Sequence, residues 1–516
     1  MNTSTNLACS YIKYLIENQI SDFVLSPGSR NAPLSIALNE AAEKGLIDLH
    51  VKIDERGAAF FALGLSKATD KYVVVICTSG TAVANYLPAA LESLHGQNKV
   101  LFLTADRPAR LRKTGANQTT NQIDIFNGIK THDLNTFEPI ALKSGPIHIN
   151  LQFDEPLLST DKSNWLAGIQ IRKEVKDNSE LNKLNLEGNG LVVVGHDKGG
   201  FTSNEIENFA NSLPLISEDP LSFPNAITSA SIFLADEEIR EYLKPDYVVV
   251  IGRTTLSRSI NSFINLAPLQ FVIDKRIKNI DTARVATKKF ENLPELIIDN
   301  FNQDYRMKFE LASRKANISL NWSEALIART LGESLPNGSA LFIGSSRPIR
   351  DVEAFANSRD GISVFANRGL AGIDGNLSTI FGIAEHFETT YALIGDLTFL
   401  HDVSALTSPT KANCKVFLID NNGGGIFSTL PQAGVEGFEK IFGTPHNQNL
   451  EKIISGFGIK VEKIKSESDL KRAINHQTSG LQFYLLEVPT REDMAKELKE
   501  IYAKVSSAVR IGFNLA

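Results

Sequence analysis

CKVFLIDNNGGGIF, residues 414–427, runs from a strand straight into a turn. Five of its first six residues are apolar, and a near-continuous apolar run reads as a strand buried on both faces, the signature of a parallel sheet covered by helices. It ends on Asp420, Asn421, Asn422 and three glycines. Polar side chains in a glycine turn just past a strand lie where open parallel sheets bind ligands. YALIGDL (391–397) has the same form, with Asp396 past its apolar run and 25 positions before Asn421. That interval holds one crossover helix, so the two residues are expected at neighbouring strand ends. An anionic oxygen, an amide oxygen and a main-chain carbonyl in a glycine turn suit Mg²⁺, a hard cation that keeps coordination places for phosphate oxygens. Alone, GD reads as a capped turn and NNGGG as a tight turn; together at this spacing they favour a metal-diphosphate anchor.

The same alternation extends outward. Tyr11, Ile12, Leu15 and Ile16 share a helical face; DFVL (22–25) reads as a strand, 32–42 as a helix, LHVKI (49–53) as a strand and 55–68 as a helix. YVVVIC (72–77), KVLFLTAD (99–106) and GPIHINL (145–151) continue the series. A second series contains GLVVVG (190–195), DYVVVIG (246–252) and LQFVIDK (269–275). After a polar helix around 304–320, a third contains ALFIGSS (340–346), ISVFANRG (362–369), YALIGDL, CKVFLIDNN and FYLLEV (483–488). The fold expected is α/β, three successive α/β modules with mainly parallel sheets, over 1–180, 181–320 and 321–516. IRKEVKDNSELNKLNLEGNG (171–190), mixed in charge and without strand or helix signal, reads as the linker.

At 516 residues, 42% hydrophobic and 22% charged, the chain has ordinary globular usage and room for several full cores. A net charge of −6 argues against nucleic acid as the main partner, because phosphate contacts need concentrated Lys and Arg. Cys9, Cys77 and Cys414 are too scattered for a disulfide framework or zinc site and read as thiols in a reducing compartment. MNTSTNLACSYIKYL has no basic region followed by an apolar core, and no apolar run reaches membrane-spanning length. A cytoplasmic protein without a membrane span is expected. VVVGHDKGG (192–200) lacks the glycine spacing of a dinucleotide loop.

Two further stretches put chemistry past a strand. LSPGSRNAPLSIAL (25–38) sets Gly28, Ser29, Arg30 and the free amides of a helix start at one strand end, where an anion is held by dipole and hydrogen bonds. The plainer reading is a helix capped by Ser29 or Asn31. HVKIDERGAAFFALGLSKAT (50–69) sets Glu55 between a strand and a helix of small residues, where the helix dipole alone favours a carboxylate.

GDL followed 25 residues later by NNGG resembles the fingerprint of thiamine-diphosphate enzymes, with Leu397 where the general pattern has glycine. SPGSRNAPL, DERGAAFFALGLSKA, TSGTAVANYLPA (78–89), TADRPARLRKTGANQT (104–119), ANRGLAGIDGNLST (366–379) and NNGGGIFSTLP (421–431) resemble, in matching order, the 2-succinyl-5-enolpyruvyl-6-hydroxy-3-cyclohexene-1-carboxylate synthase family. The resemblance implies an N-terminal pyrimidine-binding module, a central module and a C-terminal diphosphate-binding module. It assigns Mg²⁺, with Mn²⁺ as a substitute, to Asp396, Asn421 and the Gly423 carbonyl. It assigns Glu55 to the aminopyrimidine ring as the catalytic carboxylate, and Ile373 of GIDG (372–375) to support of the bent cofactor.

That family is a transferase family of menaquinone biosynthesis that joins 2-oxoglutarate to isochorismate with loss of carbon dioxide. Both substrates are dianions, and the planar fork of Arg binds carboxylates bidentately. The resemblance assigns Arg30, Arg107, Arg350 and Arg368 to that task. Ser29, Asn117, Gln118 and Ser346 supply neutral hydrogen bonds, and Ile426 and Leu430 an apolar wall. Arg258 is carried over from a Lys-Arg pair in which Ser257 replaces the lysine; Gly425 stands where the family often has glutamine. A homodimer or homotetramer with sites at the dimer interface is implied. Another thiamine-diphosphate 2-oxo acid carboligase or decarboxylase would share Glu55 and Asp396. A non-catalytic binding protein on the same fold would leave Glu55, Asp396 and Asn421 unexplained together.

Overall fold

The computed structural model describes residues 3–159, 163–172, 182–276, 280 and 285–515. The expected boundary at 180/181 lies outside the described residues. The chain divides into two compact units: Met1–Asp177 with Asn367–Glu388 and Leu400–Ala412, and Asn178–Ala366 with Thr389–Phe399 and Asn413–Ala516.

The first unit is built on a six-stranded sheet ordered Asp48–Val51, Asp22–Leu25, Val73–Cys77, Val100–Asp106, Ile147–Gln152, Thr131–Leu134. Val73–Cys77 and Val100–Asp106 are buried throughout, as strands between two helical layers must be. The helices Thr3–Glu17 and Ala32–Glu43 share a core with Phe23, Val74 and Leu101. Glu55–Thr69 lies against Asp22–Leu25 and Val73–Cys77 and crosses Asn376–Ala384. The crossing is close because both helices place glycine there: a Cβ on Gly64 would stand 2.1 Å from the Thr379 carbonyl oxygen, and one on Gly382 2.1 Å from that of Phe61.

The second unit contains a five-stranded sheet, Lys288–Phe290, Leu269–Ile273, Tyr247–Ile251, Gly190–Val194, Leu215–Ser217, and a six-stranded one, Ser363–Phe365, Ala340–Ile343, Thr390–Gly395, Cys414–Asp420, Leu481–Glu487, Lys460–Ile464. Thr390–Gly395 and Cys414–Asp420 are neighbours with Gly395 opposite Ile419, so Asp396 and Asp420 leave the sheet at one level. The helix Arg491–Phe513 buries Met494, Leu498, Ile501, Val505, Val509 and Phe513 at helical spacing. Every strand pairing among the described residues is parallel.

The linker expectation needs correction. Within 171–190, Lys183–Glu187 is a strand paired with Glu295–Asp299. Its inward residues are only Leu184 and Leu186, between charged and amide side chains, so the apolar run that marks a central strand is missing. The cap expected at the start of Ala32–Glu43 is also absent. Asn31 stands at the cap position without a side-chain cap bond; its Nδ2 donates instead to the Ser26 carbonyl at 2.9 Å. Cys9, Cys77 and Cys414 are buried. Among the described residues no helix is long and apolar enough to cross a membrane.

Candidate active site

In the second unit, Asp396 opens the helix Asp396–His401 directly after its strand and is 2% exposed. Its Oδ1 accepts from the Leu397 amide at 2.6 Å and its Oδ2 from the Gly423 amide at 2.8 Å. Burial pushes its pKa up, against the opposing pull of those amides and of His446. Gly423 has φ +135°, and a Cβ there would lie 2.1 Å from the Gly443 carbonyl oxygen, so this turn is reserved for glycine. The Gly423 carbonyl accepts from the Gly425 amide at 2.9 Å and retains its second lone pair.

Asn421 donates from Nδ2 to Glu324 Oε1 at 2.9 Å, and its buried Oδ1 has no hydrogen-bond partner among the described residues. A buried amide oxygen left over beside a buried carboxylate is the kind of exception that a ligand accounts for. Asp396, Asn421 and Gly423 thus offer the hard-oxygen donor types that Mg²⁺ takes. His446, which no motif marked, brings Nε2 to 3.2 Å from Asp396 Oδ2 and 3.9 Å from Asp420 Oδ1. Donor atoms of Asp396, Asp420 and His446 lie within 4.8 Å of one another. The departure at Gly425 has a local use: a Cβ there would meet Asn421 Nδ2 at 2.8 Å.

The same unit holds a cavity of about 600 Å³ lined by Arg258, Arg350 and Leu430 from the sequence expectations and by Arg347, Lys499 and Tyr502, which the sequence did not mark. Ser257, another departure, caps the helix Arg258–Ile264 by accepting from the Ile260 amide. Ser346 sits at φ +77°, a strained backbone for serine, and its carbonyl accepts from Arg350. Arg347 is paired with Asp351 and lies 3.8 Å from Glu324. Ile426, in the turn Gly425–Thr429, does not line the cavity.

In the first unit, Arg30 donates to the Phe153 carbonyl at 3.1 Å and to Glu155 Oε1 at 3.2 Å. Arg107 donates to Ser79 Oγ at 2.9 Å and to the Gln118 carbonyl at 2.8 Å. Burial and the neighbouring Arg30 charge lower the Arg107 pKa. Arg30, Arg107 and Gln118 thus meet at the carboxyl edge of the sheet, with Ser29 and Asn117 exposed on adjoining turns. The close approach depends on Gly28, whose Cβ would stand 2.4 Å from Thr78 Cβ. Buried Gln122, also unmarked by the sequence, accepts from the Gly80 amide at 2.9 Å and donates to Asn150 Oδ1 at 2.8 Å, fixing the turn beside Arg107.

Glu55 is the first residue of its helix, after Asp54, whose side chain accepts from the Arg56 amide at 3.1 Å. It lies near enough to Cys77 and Tyr86 to help raise both their pKa values, though burial is the larger cause in each. Arg368 and Ile373 flank a turn held by buried Glu92, which accepts from the Gly369 and Leu370 amides at 2.7 Å each. Glu92 lies 277 residues from Gly369, beyond the reach of any local pattern.

The family described as "Thiamine pyrophosphate enzyme, N-terminal TPP binding domain" matches residues 5–125. The chain is 33% identical to a 2-succinyl-5-enolpyruvyl-6-hydroxy-3-cyclohexene-1-carboxylate synthase of Saccharopolyspora erythraea, over 99% of both chains. It is 32% identical to the synthase of that name from Thermobifida fusca, over 99% of this chain and 100% of the relative. The solved benzoylformate decarboxylase of Polynucleobacter necessarius shares the fold, with a TM-score of 0.67 at 15% identity over 95% of this chain and 99% of that one.

Proposed function

This chain belongs to the 2-succinyl-5-enolpyruvyl-6-hydroxy-3-cyclohexene-1-carboxylate synthase family, and from that membership we propose that it is the transferase of menaquinone biosynthesis that joins 2-oxoglutarate to isochorismate with release of carbon dioxide. The observation that carries the reading is full-length similarity to relatives of that name. The buried oxygen set and a cation-lined cavity support it.

Asp396, Asn421 Oδ1 and the Gly423 carbonyl would hold Mg²⁺, or Mn²⁺ in its place, and through it the diphosphate of thiamine diphosphate. When bound, that cofactor supplies a carbon that attacks the keto group of 2-oxoglutarate and takes up the electrons as carbon dioxide leaves. Glu55 would hold a proton on its carboxylate against the aminopyrimidine ring, and Ile373 would support the cofactor. Arg258 and Arg350 of the cavity, with Arg30, Arg107 and Arg368, would neutralise substrate carboxylates. Ser29, Asn117, Gln118 and Ser346 would add neutral hydrogen bonds. Leu430 of the cavity, and Ile426 from the turn Gly425–Thr429, would supply apolar surface toward the substrate. The modules 1–180, 181–320 and 321–516 would build a cytoplasmic homo-oligomer, dimer or tetramer, in which one cofactor reaches Glu55 of one chain and Asp396 of another. Three buried, scattered cysteines accord with a reducing compartment.

The test is the product mass formed by purified protein with thiamine diphosphate, Mg²⁺, 2-oxoglutarate and isochorismate. The condensed product is expected, and omission of any component should abolish it. Equal carbon dioxide release with and without isochorismate, and no condensed product, would replace the synthase reading by a decarboxylase.

A further inference from the structure

We propose that Glu324 is a positioning residue that fixes the orientation of the Asn421 amide, so that Oδ1 rather than Nδ2 is presented to the metal. The inference rests on the proposed metal role of Asn421. An amide side chain has two ends of similar size, one a donor and one an acceptor, and only the oxygen can ligate Mg²⁺. A turn of glycines, Gly423 to Gly425, cannot by itself select between them. Glu324 can, because a carboxylate only accepts: the end facing it must be the NH₂, and Oδ1 then turns away.

Glu324 is 2% exposed, at the start of the helix Glu324–Ser334, with Oε1 2.9 Å from Asn421 Nδ2. Among the described residues Oε2 has no hydrogen-bond partner, and it faces Arg347 Nε at 3.8 Å, itself without one. Arg347 is in turn held by its ion pair with Asp351. A chain Asp351, Arg347, Glu324, Asn421 thus runs from the cavity wall to the oxygen set. Gly425 completes the arrangement by leaving room for the amide, since a Cβ there would press on Nδ2 at 2.8 Å. Outer-shell partners of this kind typically change metal affinity by about 10- to 100-fold when altered.

The test is a charge exchange across the contact, read as Mg²⁺ affinity by calorimetry in the presence of thiamine diphosphate, with the melting temperature of ligand-free protein as the folding control. Asn421→Asp gives the metal a stronger ligand in isolation, yet it sets two carboxylates against each other. Mg²⁺ binding is expected to weaken about 10-fold or more. Adding Glu324→Gln supplies an NH₂ to the new carboxylate, and the double variant should return to within about threefold of the original protein. Both changes are nearly isosteric. Additive losses, with no recovery in the double variant, would overturn the role of Glu324. Asn421→Ala separates the two ideas: if it leaves Mg²⁺ affinity unchanged, the metal reading of Asn421 fails, whatever Glu324 does.

Discussion

The oxygen set of the second unit and the guanidinium pair of the first both sit past the ends of parallel strands, yet they are prepared in opposite ways. Asp396 is buried, its oxygens fixed by the Gly423 and Leu397 amides, and Asn421 Oδ1 is left without a partner among the described residues. Arg30 and Arg107 are half-buried and already engaged, mostly by neutral oxygens of Phe153, Ser79 and Gln118. Neutral acceptors orient a guanidinium without cancelling its charge, which stays available to a carboxylate. Strict geometry is built where a small cation would bind, and adjustable contacts where larger anions would enter and leave.

The largest effect is expected at the rigid end. Asp396→Ala removes the one fully buried carboxylate of the oxygen set and strips the Gly423 amide of its acceptor. Loss of one partner of a buried charged hydrogen bond costs on the order of 2–5 kcal/mol, so Mg²⁺ affinity in the presence of thiamine diphosphate should fall roughly 30- to 5000-fold by calorimetric titration. An unchanged affinity would leave the contrast between the two ends without content.

Co-expression of Glu55→Gln and Asp396→Ala chains asks whether the two ends serve one reaction across subunits. Each variant alone should be nearly inactive. In a mixed population about half the dimers are heterodimers, each with one of two sites intact, giving roughly a quarter of normal activity by isologous pairing. Purified heterodimers no more active than the single variants would confine Glu55 and Asp396 to one chain.

The sequence reveals the rigid end better than the adjustable one, and the reason is locality. Central strands such as Val73–Cys77 and Cys414–Asp420 are continuous or near-continuous apolar runs, and Asp396 and Asn421 lie at the ends of such runs. Lys183–Glu187, Glu295–Asp299 and Lys460–Ile464 are edge or two-stranded elements with alternating or half-exposed residues, and they merge with polar surroundings. Glu324, Glu92 and Gln122 act on residues 97, 277 and 42 positions away, so only the folded chain connects them to the site. His446 stands 50 positions from Asp396, in a stretch without strand or helix periodicity.

At the adjustable end, Arg107→Ala removes a charge but leaves Ser79 Oγ and the Gln118 carbonyl able to bond water. A hydrogen bond to a charged group is worth about 1.5–3 kcal/mol, so the KM of one substrate should rise roughly 10- to 150-fold, with Mg²⁺ affinity unchanged. A matching loss of Mg²⁺ affinity would mean that the two ends are not independent.

Asp402 gives the first unit its own buried carboxylate, without the oxygen set around it. Its Oδ2 accepts from the Ser378 amide at 2.7 Å, and Arg56 lies 3.4 Å from Oδ1. Burial pushes its pKa up from 3.8 to about 6. Between these values the folded chain keeps a proton that the unfolded chain has released, so stability falls as pH rises from about 4 to about 6. A shift of about two pH units corresponds to roughly 3 kcal/mol. Asp402→Asn should flatten this part of the stability profile measured by urea unfolding; an unaltered slope would assign it to another group.

The smallest expected effect concerns Glu155, the charged partner of the Arg30 guanidinium among the described residues. Its side chain is 67% exposed, so the 3.2 Å ion pair is a surface contact of small net worth. A substrate carboxylate approaching Arg30 would have to compete with it, whereas the described hydrogen-bond acceptors of the Arg107 guanidinium, Ser79 Oγ and the Gln118 carbonyl, are neutral. Glu155→Gln keeps the length and an acceptor oxygen while removing the charge. The KM of the substrate that uses Arg30 should therefore fall, by no more than about fivefold, with melting temperature and Mg²⁺ affinity unchanged. The gain should shrink at high salt, which screens an exposed carboxylate. A rise in KM instead would mean that Glu155 orients Arg30 rather than competing for it, and the first unit would then be as tightly preset as the second.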